Sequence, residues 1–425
     1  MRHLDLDQIR ADNRRIVLQC IREAGAISRV ESAGRVDVSP TTVSNVTKEL
    51  LADGLIETVE QEVRSTPAGR GRPKTLLRLR SDAAHAIGIK LAPHRAAVSV
   101  TNFVGDVLAS ETVPFPPHYR TPEKLIELCA QQTQQMLAIS GLRSEQLLGI
   151  GIGVPGCVNS RTGEIEWSPM FADRNVPLKS ALEARTGLNV VVDNEANLAG
   201  LAEIWFGLGR TSASFLLVTV EHGVGMSIAI GHQIYRGSRG FAGEFGHMKV
   251  EFDGAQCRCG KTGCVEAYVA DYAIVREAGD LVGPVPIHDQ QAVEEALDAL
   301  GMRADAGDVR AAAIFGRAGH VLGVAIANAV NLFDPPVVII SGQRTAHLAR
   351  VFMESLRRSM ADNVLTAGAG LPPVKVHPWG DDLWARGAAA LVLEEFMPKI
   401  SLTRKRTATA AAVAAKVPSA HAVAK

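Results

Sequence analysis

The order of apolar runs constrains this chain more than any other feature. Short runs at 86–91, 97–101 and 107–112 read as three consecutive strands with tight turns between them. A helix is expected at 121–140 and a buried strand at 147–154. The order then recurs, with strands at 214–220, 226–230 and 233–235, helices near 263–279, 288–300 and 308–332, and a strand at 337–340. A repeated βββαβα order predicts duplicated α/β lobes with a cleft between them. Ligands in open α/β sheets sit beyond the carboxyl ends of strands. Binding chemistry is therefore expected in the loops after 150–154, 190–193, 216–220 and 337–340.

The second lobe carries a cysteine cluster. Cys257, Cys259 and Cys264 lie within eight residues, whereas Cys20, Cys129 and Cys157 are scattered. Tight clustering of this kind fits metal ligation better than a disulfide framework. With His247 just upstream it forms a Cys₃His set, all four tetrahedral positions closed by protein, which points to a structural zinc that contributes to folding. Glu244 and Glu266 bracket this knot. A lone glutamate is ordinarily just solvated, but two carboxylates held rigidly beside a cleft suit the acceptance of sugar hydroxyls. Asp193-Asn194-Glu195-Ala196-Asn197, after the strand at 190–192, adds polar groups that can hydrogen-bond a polyhydroxyl ligand.

The N-terminal segment has a different character. Residues 8–24 show helical apolar spacing, and a short second segment follows from Ser28 to Gly34. Ser39 is a good N-cap and Pro40 fits the first helical position. Val43, Val46, Leu50 and Leu51 are expected to form one buried stripe, and Gly54 to end the helix. The exposed set, Ser39, Thr41, Thr42, Ser44, Asn45 and Lys48, is suited to base edges and phosphates in a major groove. Strands at 55–59 and 75–79 would form a hairpin whose tip holds Arg64, Arg70, Arg72 and Lys74, placed to reach phosphates or a minor groove. Helix, helix, helix, hairpin is the winged helix-turn-helix order. A small solvated bundle with a basic loop is the plainer alternative, and the ordered combination argues against it.

Charge bears on the same point. Lys+Arg and Asp+Glu both number 45, so the formal net charge is zero, which at first argues against a nucleic-acid partner. Divided along the chain, residues 1–80 carry +3, with +5 in 61–80 alone, residues 399–425 carry +6, and 81–398 are left with −9. An acidic body would repel DNA and confine contact to the basic head. A 47% hydrophobic share with 21% charged residues excludes wholesale disorder. The first residues lack the apolar core of a signal peptide. No apolar run approaches the ~18 residues that span a bilayer, and a cytoplasmic protein without membrane association is expected.

Glu244-Phe-Gly-His247, Cys257-x-Cys259-Gly-x-x-Gly-Cys264-x-Glu266 and the 193–197 segment together resemble the ROK family (repressors, open reading frames and sugar kinases). Gly151-x-Gly153-Val154-Pro155-Gly156 and Tyr235-Arg236-Gly237 also look like family segments. The resemblance runs from residue 8 to about 396, and the attached winged helix resembles the transcriptional-regulator branch, of the NagC/xylose-repressor type. It implies an actin-like ATPase fold, sugar or sugar-phosphate ligands, a structural zinc and dimers or tetramers. By that resemblance Asn194, Glu195, Glu244, His247 and Glu266 match sugar-contact positions, with Gly156 and Ser168 as further ligand-loop positions. His247 would serve both zinc and ligand, and Cys257, Cys259 and Cys264 match the remaining zinc ligands.

Two departures separate regulator from kinase. Kinases of the family carry an Asp-x-Gly-Gly-Thr-type phosphate loop after the first strand, whereas this chain has Lys90-Leu91-Ala92-Pro93-His94. An ammonium replaces the acid that would organise Mg²⁺, the glycines that admit phosphates are missing, and Pro93 removes an N–H donor. Glu195 stands where the kinases place a catalytic Asp, and its extra methylene shifts the carboxylate by about an ångström, enough to cost ~10²-fold where positioning matters. The other phosphate segments, 221–225 and 341–344, are also poorer in glycine than the kinase forms.

The expectation is an α/β chain with an N-terminal winged helix-turn-helix at 1–80 and a duplicated actin-like, sugar-kinase-like body of two lobes at 81–205 and 206–398. A disordered basic tail follows at 399–425. It is expected to be a sugar-responsive regulator, a repressor that binds a palindromic operator as a homodimer or homotetramer and has no kinase activity. The alternatives are a sugar kinase with a DNA-binding appendage and a regulator released by a protein partner.

Overall fold

The computed structural model describes residues 6–60, 75–116, 121–170, 172–287, 289–342, 350–366, 368, 370–378 and 380–396. Arg64, Arg70, Arg72 and Lys74 of the hairpin tip, Gln343 and Arg344, and the tail at 399–425 lie outside the described residues. Two compact units are present. Among the described residues, one holds 6–60, 75–85, 102–106 and 392–396, and the other holds those of 86–101 and 107–391.

In the first unit, helix α1 (Leu6–Ala24) precedes a two-residue strand β1 (Ile27–Ser28), α2 (Arg29–Arg35), α3 (Pro40–Ala52) and the hairpin β2 (Ile56–Glu60) and β3 (Thr75–Leu79). The strands form an antiparallel sheet in the order β1-β3-β2, so the wing is widened by a strand that the sequence did not announce. Ser28 begins α2 with a reciprocal capping box to Glu31. Ser39 caps α3, its Oγ accepting from Thr42 N at 3.1 Å, with Pro40 in the first turn. The buried face of α3 is Val43, Val46, Thr47 and Leu50, which corrects the expected stripe. At about 100° per residue Thr47 lies only about 40° round from Val43, while Leu51 lies about 80° round, towards the edge, and is only half-buried. The Thr47 hydroxyl is satisfied there, donating to Ser44 O and accepting from Arg29 Nε. Arg14 of α1, 3% exposed, reaches Glu49 and Asp53 in the last turn of α3, and Arg10 joins Glu49.

The second unit is built twice over. The first half runs β4 (His85–Ala92), β5 (Arg95–Asn102), β6 (Val107–Pro114), α4 (Pro122–Ser140), β7 (Leu147–Val154), the small hairpin β8 (Cys157–Asn159) and β9 (Glu164–Trp167), α5 (Leu178–Thr186), β10 (Val190–Asn194) and α6 (Glu195–Phe206). The other half runs β11 (Phe215–Val220), β12 (Val224–Ile230), β13 (Gln233–Ile234), α7 (Glu266–Val269), α8 (Asp271–Ala278), α9 (Gln290–Asp305), α10 (Val309–Phe333), β14 (Val338–Ser341), α11 (Arg350–Asn363), β15 (Val374–His377) and α12 (Asp381–Phe396). The sheets read β10-β7-β4-β5-β6 and β15-β14-β11-β12-β13, the same order with the same roles. Strand β7 pairs in parallel with β10, and β14 with β15. The repeat is thus βββαβαβα, one βα unit longer than the sequence pattern indicated.

Two local expectations are corrected. The helix expected near 263–279 is two helices, broken at Ala270, whose ψ of 155° is extended. Although no long apolar run had been read, α10 is long and apolar enough to cross a membrane. Its apolar face is spent inside the lobe: Gly319 and Gly323 bring it against the α11 backbone, where a Cβ would stand 2.2 Å from Phe352 O and 2.5 Å from Leu356 O.

Helices α6 and α12 join the halves. A Cβ on Gly387 of α12 would lie 2.2 Å from Leu198 O of α6, so the two helices pack backbone to backbone. On their other sides, Gly153 of β7 faces Leu198 and Gly88 of β4 faces Ala385 and Ala389. These contacts leave the N-terminus of α6, and the loops at the strand ends, facing the space between the lobes.

Candidate functional sites

A cavity of about 500 Å³ opens between the two lobes of the second unit. All seven residues expected to contact a sugar line it: Gly156, Ser168, Asn194, Glu195, Glu244, His247 and Glu266. They come from both lobes. Asn194 closes β10 and caps α6, its Oδ1 accepting from Ala196 N at 2.7 Å while its Nδ2 donates to Gly156 O at 2.7 Å. It therefore fixes the ligand-side loop as well as lining it. Gly156 has φ +116°, and a Cβ there would stand 2.3 Å from Trp167 O, so only glycine lets the β7–β8 turn lie against β9.

Asp193, completely buried, anchors the same corner. Its Oδ1 accepts from Asn194 N and Asn197 Nδ2, and its Oδ2 accepts from Arg236 Nε at 2.7 Å across the cleft. The Arg236–Asp193 tie gives a structural reason for the Tyr235-Arg236-Gly237 segment that sequence alone did not supply.

Glu244 and Glu266 lie at the other side of the cavity. Burial holds the Glu244 carboxyl above the usual carboxylate range; Glu266 pushes the same way, and His247 and a hydrogen bond from the Cys157 thiol pull it down. Burial, then Glu244, pushes the Cys157 thiol up to about 12, so this cysteine stays protonated. Glu266 pairs with Arg258 at 3.6 Å, and that guanidinium lies over the Tyr272 ring and donates to His222 O.

Several lining residues were not singled out from sequence. Trp167 stands edge-on to His247 with ring centroids 6.2 Å apart. Arg95, His222 and Arg258 line the far end. Their signal was weak because the four lie on separate segments, Trp167 at the end of β9, Arg95 at the start of β5, His222 after β11 and Arg258 in the cysteine loop, and only the fold brings them to one cavity. Lys90 is 2% exposed; its Nζ lies 3.5 Å from Glu221 Oε2 and 3.7 Å from the centroid of the Trp384 ring.

The four expected metal ligands come together. His247, in a short 3₁₀ turn, and Cys257, Cys259 and Cys264 place one ligand atom each within 4.8 Å of one another. Cys259 Sγ lies 3.8 Å from Cys264 Sγ, and Cys257 Sγ 3.7 Å from His247 Nδ1. Tetrahedral zinc with Zn–S bonds of ~2.3 Å sets neighbouring sulfurs about 3.8 Å apart, so the donors are spaced for that ion. His247 belongs to both groups, with Nδ1 towards the thiols while the residue lines the cavity.

In the first unit, Ser39, Thr41, Ser44, Asn45 and Lys48 are exposed on α3 and Thr42 is half-buried. They form the outward face of a capped helix, the form in which a recognition helix enters a major groove. Arg70, Arg72 and Lys74 fall outside the described residues.

Comparison with known proteins agrees with this division. A family model for winged helix-turn-helix DNA-binding matches residues 10–57, and the ROK family model matches residues 86–395. The xylose repressor of Caldicellulosiruptor bescii is 30% identical over 400 residues, covering 93% of this chain and 98% of the relative. The N-acetylglucosamine repressor of Escherichia coli O6:H1 is 30% identical over 404 residues, covering 94% and 96%. Among solved structures, a ROK family transcriptional regulator, a homologue of the Escherichia coli MLC protein, superposes with a TM-score of 0.75 at 23% identity over 93% of this chain and 98% of its own, and so shares the fold of head and body. With a family model covering most of the chain and full-length relatives at this identity, the chain belongs to the ROK family.

Proposed function

We propose that this protein is a sugar-responsive transcriptional regulator, a repressor of carbohydrate-utilisation genes that acts in the cytoplasm. The observation that carries the reading is the convergence of seven polar or loop residues on one interlobe cavity, in a chain that also presents a capped, polar-faced helix in a winged head. Relatives named xylose repressor and N-acetylglucosamine repressor support it and leave the identity of the sugar to experiment. In this reading Asn194, Glu195, Glu244, His247 and Glu266 hold the sugar hydroxyls, with Gly156 and Ser168 shaping the loop. Ser39, Thr41, Thr42, Ser44, Asn45 and Lys48, joined by Arg70, Arg72 and Lys74, contact an operator. Half-sites are read by a homodimer or homotetramer, as expected for a palindrome. The sugar binds one setting of the lobes better than another, which is the only way it can change operator affinity.

The same reading gives the protein no phosphoryl transfer. Where a kinase would place a carboxylate and glycine amides, this cavity has a buried lysine already engaged by Glu221 and Trp384, followed by Pro93. The Cys₃His set would hold one structural zinc, fixing His247 and Glu266 at the cavity wall. Zinc would supply cross-linking of the knot, with no open position for chemistry.

A thermal-shift screen of the purified protein against a panel of sugars and sugar phosphates, paired with an assay for ATP-dependent phosphorylation, tests this. The reading expects one sugar class to raise the melting temperature and none to be phosphorylated. Turnover that is lost in Glu195→Gln would establish the kinase instead.

A further inference from the structure

Four donors account for the shape of the metal centre but not for its charge. Three thiolates and a neutral imidazole around Zn²⁺ leave a net −1. Glu266, with Oε1 3.6 Å from Cys257 Sγ, places a further carboxylate there, itself paired with Arg258. Lys249, a residue without a role so far, approaches a different sulfur, that of Cys264.

Its position is set by the backbone. Lys249 and Cys264 face each other in an antiparallel bridge, held by Val265 N donating to Met248 O at 3.0 Å and Val250 N donating to Gly263 O at 2.9 Å. Directly opposed residues in such a pair carry their side chains on one face. Lys249 Nζ accordingly lies 3.0 Å from Cys264 Sγ, and it also donates to Thr262 O at 2.5 Å. Gly263 keeps this register. Its φ is +71°, and a Cβ there would stand 1.6 Å from Glu251 O. The ammonium is therefore delivered to one particular sulfur by a turn that admits no other residue.

Resting on the zinc reading above, we infer that Lys249 is a charge-compensating, positioning residue of the metal centre. Its ammonium donates to the Cys264 sulfur and offsets the surplus negative charge of the Cys₃His set. Groups that hydrogen-bond a metal ligand typically contribute 10–100-fold to metal affinity when intact. Lys249 is exposed, and solvent screening places its effect at the lower end of that range.

The test uses the full chain loaded with zinc and titrated with a competing chromophoric chelator, alongside Lys249→Met and Lys249→Arg. The expected result is about tenfold weaker zinc retention for Lys249→Met, largely restored in Lys249→Arg. Cobalt-substituted Lys249→Met should show a shifted thiolate-to-metal absorption band. After chelation, wild type and Lys249→Met should melt together, because the lysine acts through the metal. Equal zinc retention in Lys249→Met, or an equal loss of stability with and without metal, overturns the inference. A wild-type chain that takes up no zinc overturns the metal reading itself.

Discussion

Lys90 and Glu221 meet across the interlobe cavity, with 3.5 Å between Nζ and Oε2 and the lysine side chain only 2% exposed. Each comes from the end of the first strand of its lobe, and the ring of Trp384 closes over the ammonium at 3.7 Å. An internal cation and its partner thus form part of the cavity wall.

Breaking this pair should be costly. Taking the carboxylate from a buried ammonium typically costs 3–5 kcal/mol. Glu221 is somewhat exposed, so Glu221→Ala is expected to destabilise the protein by about 3 kcal/mol. Urea denaturation followed by circular dichroism measures this. A loss below 1 kcal/mol would mean that solvent, rather than Glu221, balances Lys90.

In the head, Ser39→Ala removes the N-cap of α3 and should cost about 1 kcal/mol of stability. Lys48→Ala leaves the cap intact and should instead reduce the slope of operator affinity against salt by about one. Titrations at several salt concentrations separate the two effects. An unchanged slope in Lys48→Ala would remove it from the phosphate contacts.

Asn194→Ala loses both the α6 cap and the bond to Gly156 O. About 1 kcal/mol of stability should go with the cap, and the loosened Gly156 turn should abolish the sugar-induced thermal shift. Retention of the full shift would show that the turn holds its place without Asn194.

Much of this was legible in the sequence, and the exceptions have physical causes. The Cys₃His donors could be read because metal ligation demands specific atoms at short spacing. The capped helix α3 could be read because Ser39 and Pro40 are local signals. Thr47 was missed because apolarity was used as the guide to burial, whereas the hydroxyl is satisfied inside by Ser44 and Arg29. Trp167, the Arg258–His222 contact and the Arg236–Asp193 tie could not be read because each depends on a contact between distant segments. The last βα unit of the second lobe escaped notice because β15 is only four residues long and α12 has no sharply one-sided apolar stripe.

The Glu244 carboxyl, raised by burial, has a signed consequence for pH. A folded pKa above the unfolded value means that the folded state binds the proton more tightly. Its contribution favours folding below the unfolded value and is lost as pH rises through the folded one. Keeping Glu244 charged at neutral pH therefore costs stability. Glu244→Gln should be more stable than wild type at neutral pH, with the advantage shrinking as pH falls into the ordinary carboxylate range, and it should bind sugar more weakly. Stability curves at several pH values check this, and a constant difference across pH would contradict the assignment.

A sugar in the interlobe cavity is expected to control DNA binding by the winged head. Fluorescence anisotropy of the full chain on a labelled fragment of its own promoter region tests it most directly. Binding is measured at two salt concentrations, with and without the sugar giving the largest thermal shift. Affinity should fall with salt and drop about 100-fold at saturating sugar, a coupling of ~2.7 kcal/mol. Operator affinity indifferent to a sugar that demonstrably binds, or no salt-sensitive binding at all, would contradict it.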